Sequence, residues 1–247
     1  MPRYDFKSPR LHVTVELVPN LSIETDRTQA NYLLNVLRLK QDDHVLLFNG
    51  RDGEWDAQIG VEGRKKATLT PLQQTRPQPT APDLHYLFAP LKQARMEYMV
   101  QKAVEMGAGV LQPVLTQYTQ LRKVNGGKRN AHAVEAAEQC GILNIPEIRE
   151  PVTLQSMVDT EANGRTLIFC DEGEESQNPI EALKDVSPGQ FSILVGPEGG
   201  FSEIERARLH GLPFSHAVSL GPRILRADTA AVAALALWQN ALGDWHG

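Results

Sequence analysis

Two arginines, Arg223 and Arg226, and two carboxylates, Glu198 and Asp228, stand in or beside short glycine–proline loops of this 247-residue chain. In LVGPEGGFSEIE (Leu194–Glu205), the apolar end Leu194-Val195 runs into Gly196, Pro197, Glu198, Gly199 and Gly200 before helix-like sequence begins. In SLGPRILRADTA (Ser219–Ala230), Leu220, Gly221 and Pro222 lead into Arg223, Ile224, Leu225 and Arg226. Glycine allows a ligand to approach the backbone, and proline stiffens a turn and pushes the preceding residue to extended geometry. On these residues alone, the first loop reads as a structural strand-to-helix turn ahead of a ligand loop. The arginines read as surface ion pairs or as recognition of an anion or a base. Phosphate fits the first loop poorly. G-P-E-G-G is neither a P-loop nor a dinucleotide fingerprint, and Glu198 would repel an anion. The nucleophile elbow of hydrolases is missing, and none of the seven histidines falls in these loops.

These loops need strands to hold them. TLIFC (Thr166–Cys170), FSILV (Phe191–Val195) and SHAVSL (Ser215–Leu220) read as strands, and each runs into a loop, the first into Asp171-Glu172-Gly173. LHYLFA (Leu84–Ala89) and VLQPVL (Val110–Leu115) are further strands. Helices are predicted over Ala94–Met106, Asn130–Cys140, Ser202–Leu209 and Asp228–Leu242. Ser202 and Glu205 form a capping box, Asp228 is placed to cap the last helix and Gly243 to end it. Alternating strands and helices predict a parallel sheet with crossover helices, whose ligands bind beyond the carboxyl ends of the strands.

The first part of the chain reads differently. HVLLF (His44–Phe48) and EWDAQI (Glu54–Ile59) flank a hairpin loop, ATLTPL (Ala67–Leu72) is a further strand, and Asp26 is placed to cap a helix over Arg27–Leu37. Short strands around one helix suggest a small barrel. QTRPQPTAPD (Gln74–Asp83) contains three prolines and predicts an extended linker. The division is therefore a domain at 1–73, a linker at 74–83 and an α/β domain at 84–247.

Composition is that of an ordinary soluble globular protein, with 41% hydrophobic and 22% charged residues. Two cysteines, Cys140 and Cys170, suit a reducing compartment such as the cytoplasm, and Cys170 reads as a small buried hydrophobe. Scattered histidines give no metal-site spacing, so no metal is expected. The amino-terminal residues have no apolar signal segment, and the uncharged run Thr229–Leu242 falls short of the about 20 residues of a membrane helix, so no membrane is expected. The first 75 residues carry equal numbers of acidic and basic side chains, leaving the net charge of −5 in the remainder. Any RNA-binding surface must be a local patch. Arg64-Lys65-Lys66 is a short basic run, more often a solvated hairpin than a footprint.

Taken together, the two loops resemble those of the ribosomal RNA uracil-N3 methyltransferases of the RsmE family, in the SPOUT superfamily. NYLLNVLRLKQDDHVLLFNGRDGEW (Asn31–Trp55), KQARMEYMVQKAVEMGAGVLQPV (Lys92–Val114) and EAAEQCGILNIPEI (Glu135–Ile148) resemble other segments of that family, in its order. The resemblance implies an α/β domain with a deep C-terminal trefoil knot, preceded by a small PUA-like β-barrel. It implies a homodimer that binds S-adenosyl-L-methionine and methylates N3 of one uridine in the decoding region of 16S ribosomal RNA, free or in the small subunit. Departures exist: Ile142, Leu143 and Asn144 follow E-Q-C-G where the family often has arginines, and Thr116-Gln117-Tyr118-Thr119-Gln120 stands where a loop arginine is common.

The implied cofactor contacts are Cys170, Leu194, Val195, Gly196, Pro197, Glu198, Gly199, Leu220, Gly221, Ile224 and Leu225. A nucleoside carrying a sulfonium would explain why a carboxylate is tolerated in the glycine loop. The uracil N3 proton must leave, so Arg226 or Arg223 is expected to stabilise charge on O2 and O4. Arg10, Arg38, Lys40, Lys92 and Arg95 lie in matching segments and are the expected RNA contacts. A non-catalytic RNA-binding module of ribosome assembly and a SPOUT ribose 2′-O-methyltransferase are the competing functions.

Overall fold

The computed structural model describes residues 5, 7–63, 65–122, 126–173, 178–184 and 186–246. Arg64 of the basic run lies outside the described residues. The chain forms two units, Met1–Ala81 with Ala137–Ile145, and Pro82–Ala136 with Pro146–Gly247.

The first unit is a five-stranded sheet. Its strands are β1 (Arg10–His12), β2 (Ile23–Glu24), β3 (His44–Phe48), β4 (Glu54–Val61) and β5 (Ala67–Arg76), in the order β1-β3-β4-β5-β2. Alternating side chains send Val45, Leu47, Ala57, Ile59 and Leu69 to one face, where they meet Leu33 in a shared apolar core. The sequence reads β5 as ending at Leu72. It continues to Arg76 because Gln73, Gln74 and Arg76 still pair with β4, so the first residues of the expected linker belong to the sheet. Asp26 caps α1 (Arg27–Asn31) through a capping box with Gln29. The helix does not continue regularly to Leu37: a π-helical turn covers Tyr32–Val36, closed by Leu37 N–H donating to the Tyr32 carbonyl at 2.9 Å. Arg38 then ends it with φ of 59°.

The second unit is a parallel sheet. Its strands are β6 (Leu84–Phe88), β7 (Val110–Leu115), β8 (Glu147–Ile148), β9 (Val152–Thr153), β10 (Arg165–Cys170), β11 (Gln190–Val195) and β12 (Ser215–Val218). The order is β12-β10-β11-β6-β7-β8, with β9 also on β7. Its helices are α2 (Gln93–Glu105), α3 (Gly126–Cys140), α4 (Leu154–Glu161), α5 (Pro179–Leu183), α6 (Glu203–His210) and α7 (Ala227–Ala241), the last turn of α3 grouping with the first unit. Leu87, Phe169 and Leu194 from three neighbouring strands share one core with Leu154, Met157 and Val158 of α4 and Leu209 of α6. Ser202 and Glu205 cap α6 as the sequence predicts. Asp228 does not cap α7. The cap position is Arg226, without a side-chain cap bond, and Asp228 lies buried in the first turn, where a carboxylate still meets the positive end of the helix.

Candidate functional site

β10, β11 and β12 are parallel, so their carboxyl ends emerge on one edge of the sheet, as the sequence pattern requires. The loops leaving them enclose a cleft of about 240 Å³ with the start of α7. Its floor is small and apolar: Cys170, Val195, Leu225, Ala227 and Ala230. Two glycines keep the wall thin. At Gly196 a Cβ would stand 3.0 Å from the Phe201 ring. Gly200 has φ of 68° and donates its N–H to the Pro197 carbonyl at 2.9 Å, and a Cβ there would press on the Glu172 carboxylate.

Charge in the cleft is mostly negative. Glu172, Glu198 and Glu203 line it, with Asp171 beneath and Arg206 and Arg223 as the cations. Arg206 is committed to buried Asp171, with Nε 3.0 Å from both carboxylate oxygens and Nη2 2.9 Å from one. His210 Nε2 lies 3.0 Å from the same carboxylate. Burial alone would raise the pKa of Asp171, but hydrogen bonds with Arg206 and His210 outweigh it and hold the carboxyl below its ordinary value. Burial pushes the Cys170 thiol up to about 12, so it is a neutral wall and not a nucleophile at neutral pH. An apolar floor under an acidic rim suits a flat apolar ligand bearing positive charge, and disfavours phosphate.

The cleft brings together Cys170, Val195, Gly196, Pro197, Glu198, Leu220, Gly221, Arg223 and Leu225 of the expected residues. Four others lie elsewhere. Leu194 is fully buried on the core face of β11. Gly199 faces Tyr118. Ile224 is 90% exposed, pointing away between two lining neighbours. Arg226 leaves 66% of its side chain exposed and stands 3.8 Å from Asp228. Of the two arginines, Arg223 is the one at the cleft. Gly200, Phe201, Glu203 and Arg206 were not anticipated. Gly200 was visible as the second of paired glycines, whereas Arg206 is reached only through the fold, one helical turn after Ser202.

Among the expected RNA contacts, Arg10 must be withdrawn. It is buried, its Nε donates to Glu54 at 2.9 Å and its Nη2 to the Asp5 carbonyl at 2.5 Å. Arg76 holds the same Glu54 at 2.8 Å through Nε. Burial would raise the Glu54 pKa, and Arg76 and Arg10 more than reverse it. Arg10 thus compensates a buried charge. Arg38, Lys40 and Lys92 are exposed. Arg95 is partly exposed and pairs with Glu198 at 3.1 Å, joining the start of α2 to the glycine loop. On the first unit, Arg27 and Lys65 share a further groove with Thr28, Asn31 and Asn35. Among the described residues no cluster of His, Cys, Asp or Glu is arranged for a metal ion, and no helix is long and apolar enough to cross a membrane.

Comparison with known proteins adds to this geometry. A model described as an RNA methyltransferase PUA domain matches residues 25–72, and one described as an RNA methyltransferase domain matches residues 77–239. Ribosomal RNA small subunit methyltransferase E of Rickettsia conorii is 32% identical over 93% of this chain and 94% of its own. The protein of that name from Synechocystis is 31% identical over 92% of this chain and 76% of its own. The crystal structure of ribosomal RNA small subunit methyltransferase E from Neisseria gonorrhoeae, bound to S-adenosyl methionine, superposes with a TM-score of 0.84 at 26% identity, covering 96% of this chain and 99% of the other. The Legionella pneumophila protein Lpg2936, in complex with the same cofactor, gives 0.83 at 29% identity over the same shares. The α/β unit, the PUA-like unit and the run of motifs in both are therefore those of one family, and the chain belongs to it: the ribosomal RNA small subunit methyltransferase E, or RsmE, family of RNA methyltransferases.

Proposed function

We propose that the protein methylates N3 of one uridine in the decoding region of 16S ribosomal RNA, using S-adenosyl-L-methionine and acting as a homodimer. The observation that carries the reading is the glycine-walled cleft with an apolar floor and acidic rim at the carboxyl ends of β10, β11 and β12. Bound S-adenosyl-L-methionine supplies a methyl group made electrophilic by its sulfonium. Gly196, Pro197, Leu220, Gly221 and Leu225 would hold the adenosine against backbone, and Glu198 would face the positive charge.

The protein's own part in the chemistry is orientation and electrostatics. As the N3–H bond of uracil breaks, negative charge spreads to O2 and O4, and the proton passes to solvent. Arg223, at the cleft, stabilises that charge; Arg226, outside the cleft lining and beside Asp228, is the second candidate cation. N3 then takes the methyl group as the methyl–sulfur bond breaks. The first unit, ahead of the prolyl segment, is the RNA-binding domain, with Arg38 and Lys40 as phosphate contacts; in the second unit Lys92, which precedes α2, and Arg95 within it are further RNA contacts. The α/β domain carries the trefoil knot of its class. The apolar, alanine-rich α7 helps form the two-fold interface.

Nucleoside mass spectrometry of 16S RNA from a strain lacking the gene tests this reading. Loss of 3-methyluridine, restored by the gene, is expected. Loss of a ribose-methylated nucleoside instead would replace the base methyltransferase by the 2′-O reading, and no lost nucleoside would favour a non-catalytic assembly module.

A further inference from the structure

β7 ends at Leu115, and a tight turn follows. Thr119 N–H donates to the Thr116 carbonyl at 3.3 Å, Thr116 N–H donates to the Thr119 hydroxyl at 2.9 Å, and the two hydroxyls are 3.0 Å apart. Both threonines are buried. Gln117 N–H donates to Glu205 Oε1 at 2.8 Å, while the other oxygen of that carboxylate accepts from Ser202 in the capping box of α6. A turn tied internally and to a helix start is rigid.

At its tip stands Tyr118, with 46% of its surface exposed. Its Cβ and ring lie over Gly199: a Cβ built at Gly199 would come 3.3 Å from Tyr118 Cβ and 3.6 Å from Cγ. Glu198 and Gly200, on either side of Gly199, both line the cleft. The missing side chain at Gly199 therefore makes room for an aromatic ring at the rim, not for the ligand. An exposed tyrosine by itself needs no explanation. Here both the turn beneath the ring and the glycine beside it are shaped around it.

Resting on the cleft as the methyl-transfer site, we infer that Tyr118 is the stacking platform for the target base of the RNA. N3 lies on the pairing edge of uracil, so an enzyme that modifies it needs the base unpaired, in a single strand or extruded from its helix. An extruded base loses its neighbours' faces, and a fixed aromatic ring at the cleft rim returns one. Stacking on an aromatic side chain is tolerant of sequence and indifferent to salt, unlike a guanidinium–phosphate contact. This gives a role to the loop whose arginine, common in the family, is replaced here by Thr116-Gln117-Tyr118-Thr119-Gln120.

The test compares wild type with Tyr118→Phe, Tyr118→Ala and Gly199→Ala. Methyl transfer is followed on a small-subunit RNA fragment, cofactor affinity by calorimetry, and base position with 2-aminopurine in place of the target base. Tyr118→Ala is expected to lose about 10-fold or more in kcat/KM for RNA, in line with one lost stacked base. Tyr118→Phe should keep wild-type values, and Gly199→Ala, which crowds the ring, should fall between. Cofactor affinity should stay at the wild-type value in all four proteins. The 2-aminopurine, quenched on the ring, should brighten in the Tyr118→Ala complex and not in Tyr118→Phe. Wild-type kinetics and unchanged 2-aminopurine emission in Tyr118→Ala overturn the platform while leaving the cleft reading intact. Failure of the wild type to methylate RNA overturns the cleft reading itself.

Discussion

At the amino ends of β6, β10 and β11 the second unit closes its charges on one another. Buried Glu161 lies 3.2 Å from His85 Nδ1 and 3.4 Å from Arg165 Nε, and accepts a short hydrogen bond from Ser192. Arg165 goes on to Asp83 at 2.6 Å and to the Phe191 carbonyl at 2.6 Å, and Gln190 holds the other Asp83 oxygen at 2.7 Å. At the carboxyl ends of β10 and β11, among the described residues, Asp171 is the buried carboxylate treated this way. Glu198 holds Arg95 at the half-exposed rim, Glu172 and Glu203 line the cleft, and the backbone is thinned by Gly196 and Gly200. The same strands thus end once in a pin and once in a cleft. A buried carboxylate held by several neighbours specifies the fold, whereas exposed carboxylates lining a small-walled cavity are open to a ligand.

The largest effect should come from breaking the pin. Glu161→Ala leaves Arg165 and His85 without their shared anion, and removing one partner of a buried pair costs about 3–5 kcal/mol. The urea midpoint should fall accordingly, while the protein that remains folded keeps its cofactor affinity. A matching loss of affinity would mean that the two ends are coupled.

Breaking the cleft should do the reverse. Gly200→Val forces a β-branched residue to φ near 68° and presses on Glu172. Such strain costs about 1–3 kcal/mol, less than the pin. The loop is displaced, however, and methyl transfer should fall on the order of 100-fold, together with cofactor binding. Calorimetry and single-turnover rates on the folded variant check this. Retention of both would show that the glycine loop is structural only.

Acid gives the smallest and sharpest contrast. Burial would raise the pKa of Glu161, but His85, Ser192 and Arg165 hold it below the ordinary value; Asp171 is depressed in the same sense. A carboxylate with a depressed folded pKa contributes stability that is present above its unfolded pKa, near 4, and is lost as pH falls through the folded value. Denaturation at a series of pH values from neutral downward should show this loss. Glu161→Gln should flatten the slope more than Asp171→Asn, because Arg206 and His210 are partly open to solvent at the cleft end. Equal slopes in all three proteins would remove the ion pairs from the account.

Much of this was legible in the chain. Local signals carried it where they were strong: His44–Phe48 and Val110–Leu115 are strands with the bounds read from their apolar runs, and the Ser202–Glu205 capping box starts α6. The cleft was legible because two Gly-Pro loops at strand ends together resemble those of one family, whereas either alone also reads as a structural turn. What stayed hidden depends on partners distant in sequence. β1, β2, β8 and β9 are too short to show a period and exist through pairing. α4 was missed because its buried face, Leu154, Met157 and Val158, ends in Glu161, which looks solvent-facing until His85 and Ser192 are brought to it. Arg10 looked like an RNA contact because nothing local reveals Glu54. Gly199 and Gly200 are indistinguishable by type, yet one makes room for Tyr118 and the other takes the left-handed turn.

The central claim is that the cleft at the carboxyl ends of β10, β11 and β12 delivers a methyl group to uracil N3 in small-subunit RNA. The direct measurement is to incubate purified protein with S-adenosyl-L-methionine carrying a deuterated methyl group and small-subunit RNA, beside the Gly200→Val variant, and to analyse the digested nucleosides by mass spectrometry. The account predicts deuterated 3-methyluridine at one position with the wild type and little with the variant. Label on a ribose oxygen, label on another base, or equal labelling by Gly200→Val would contradict it.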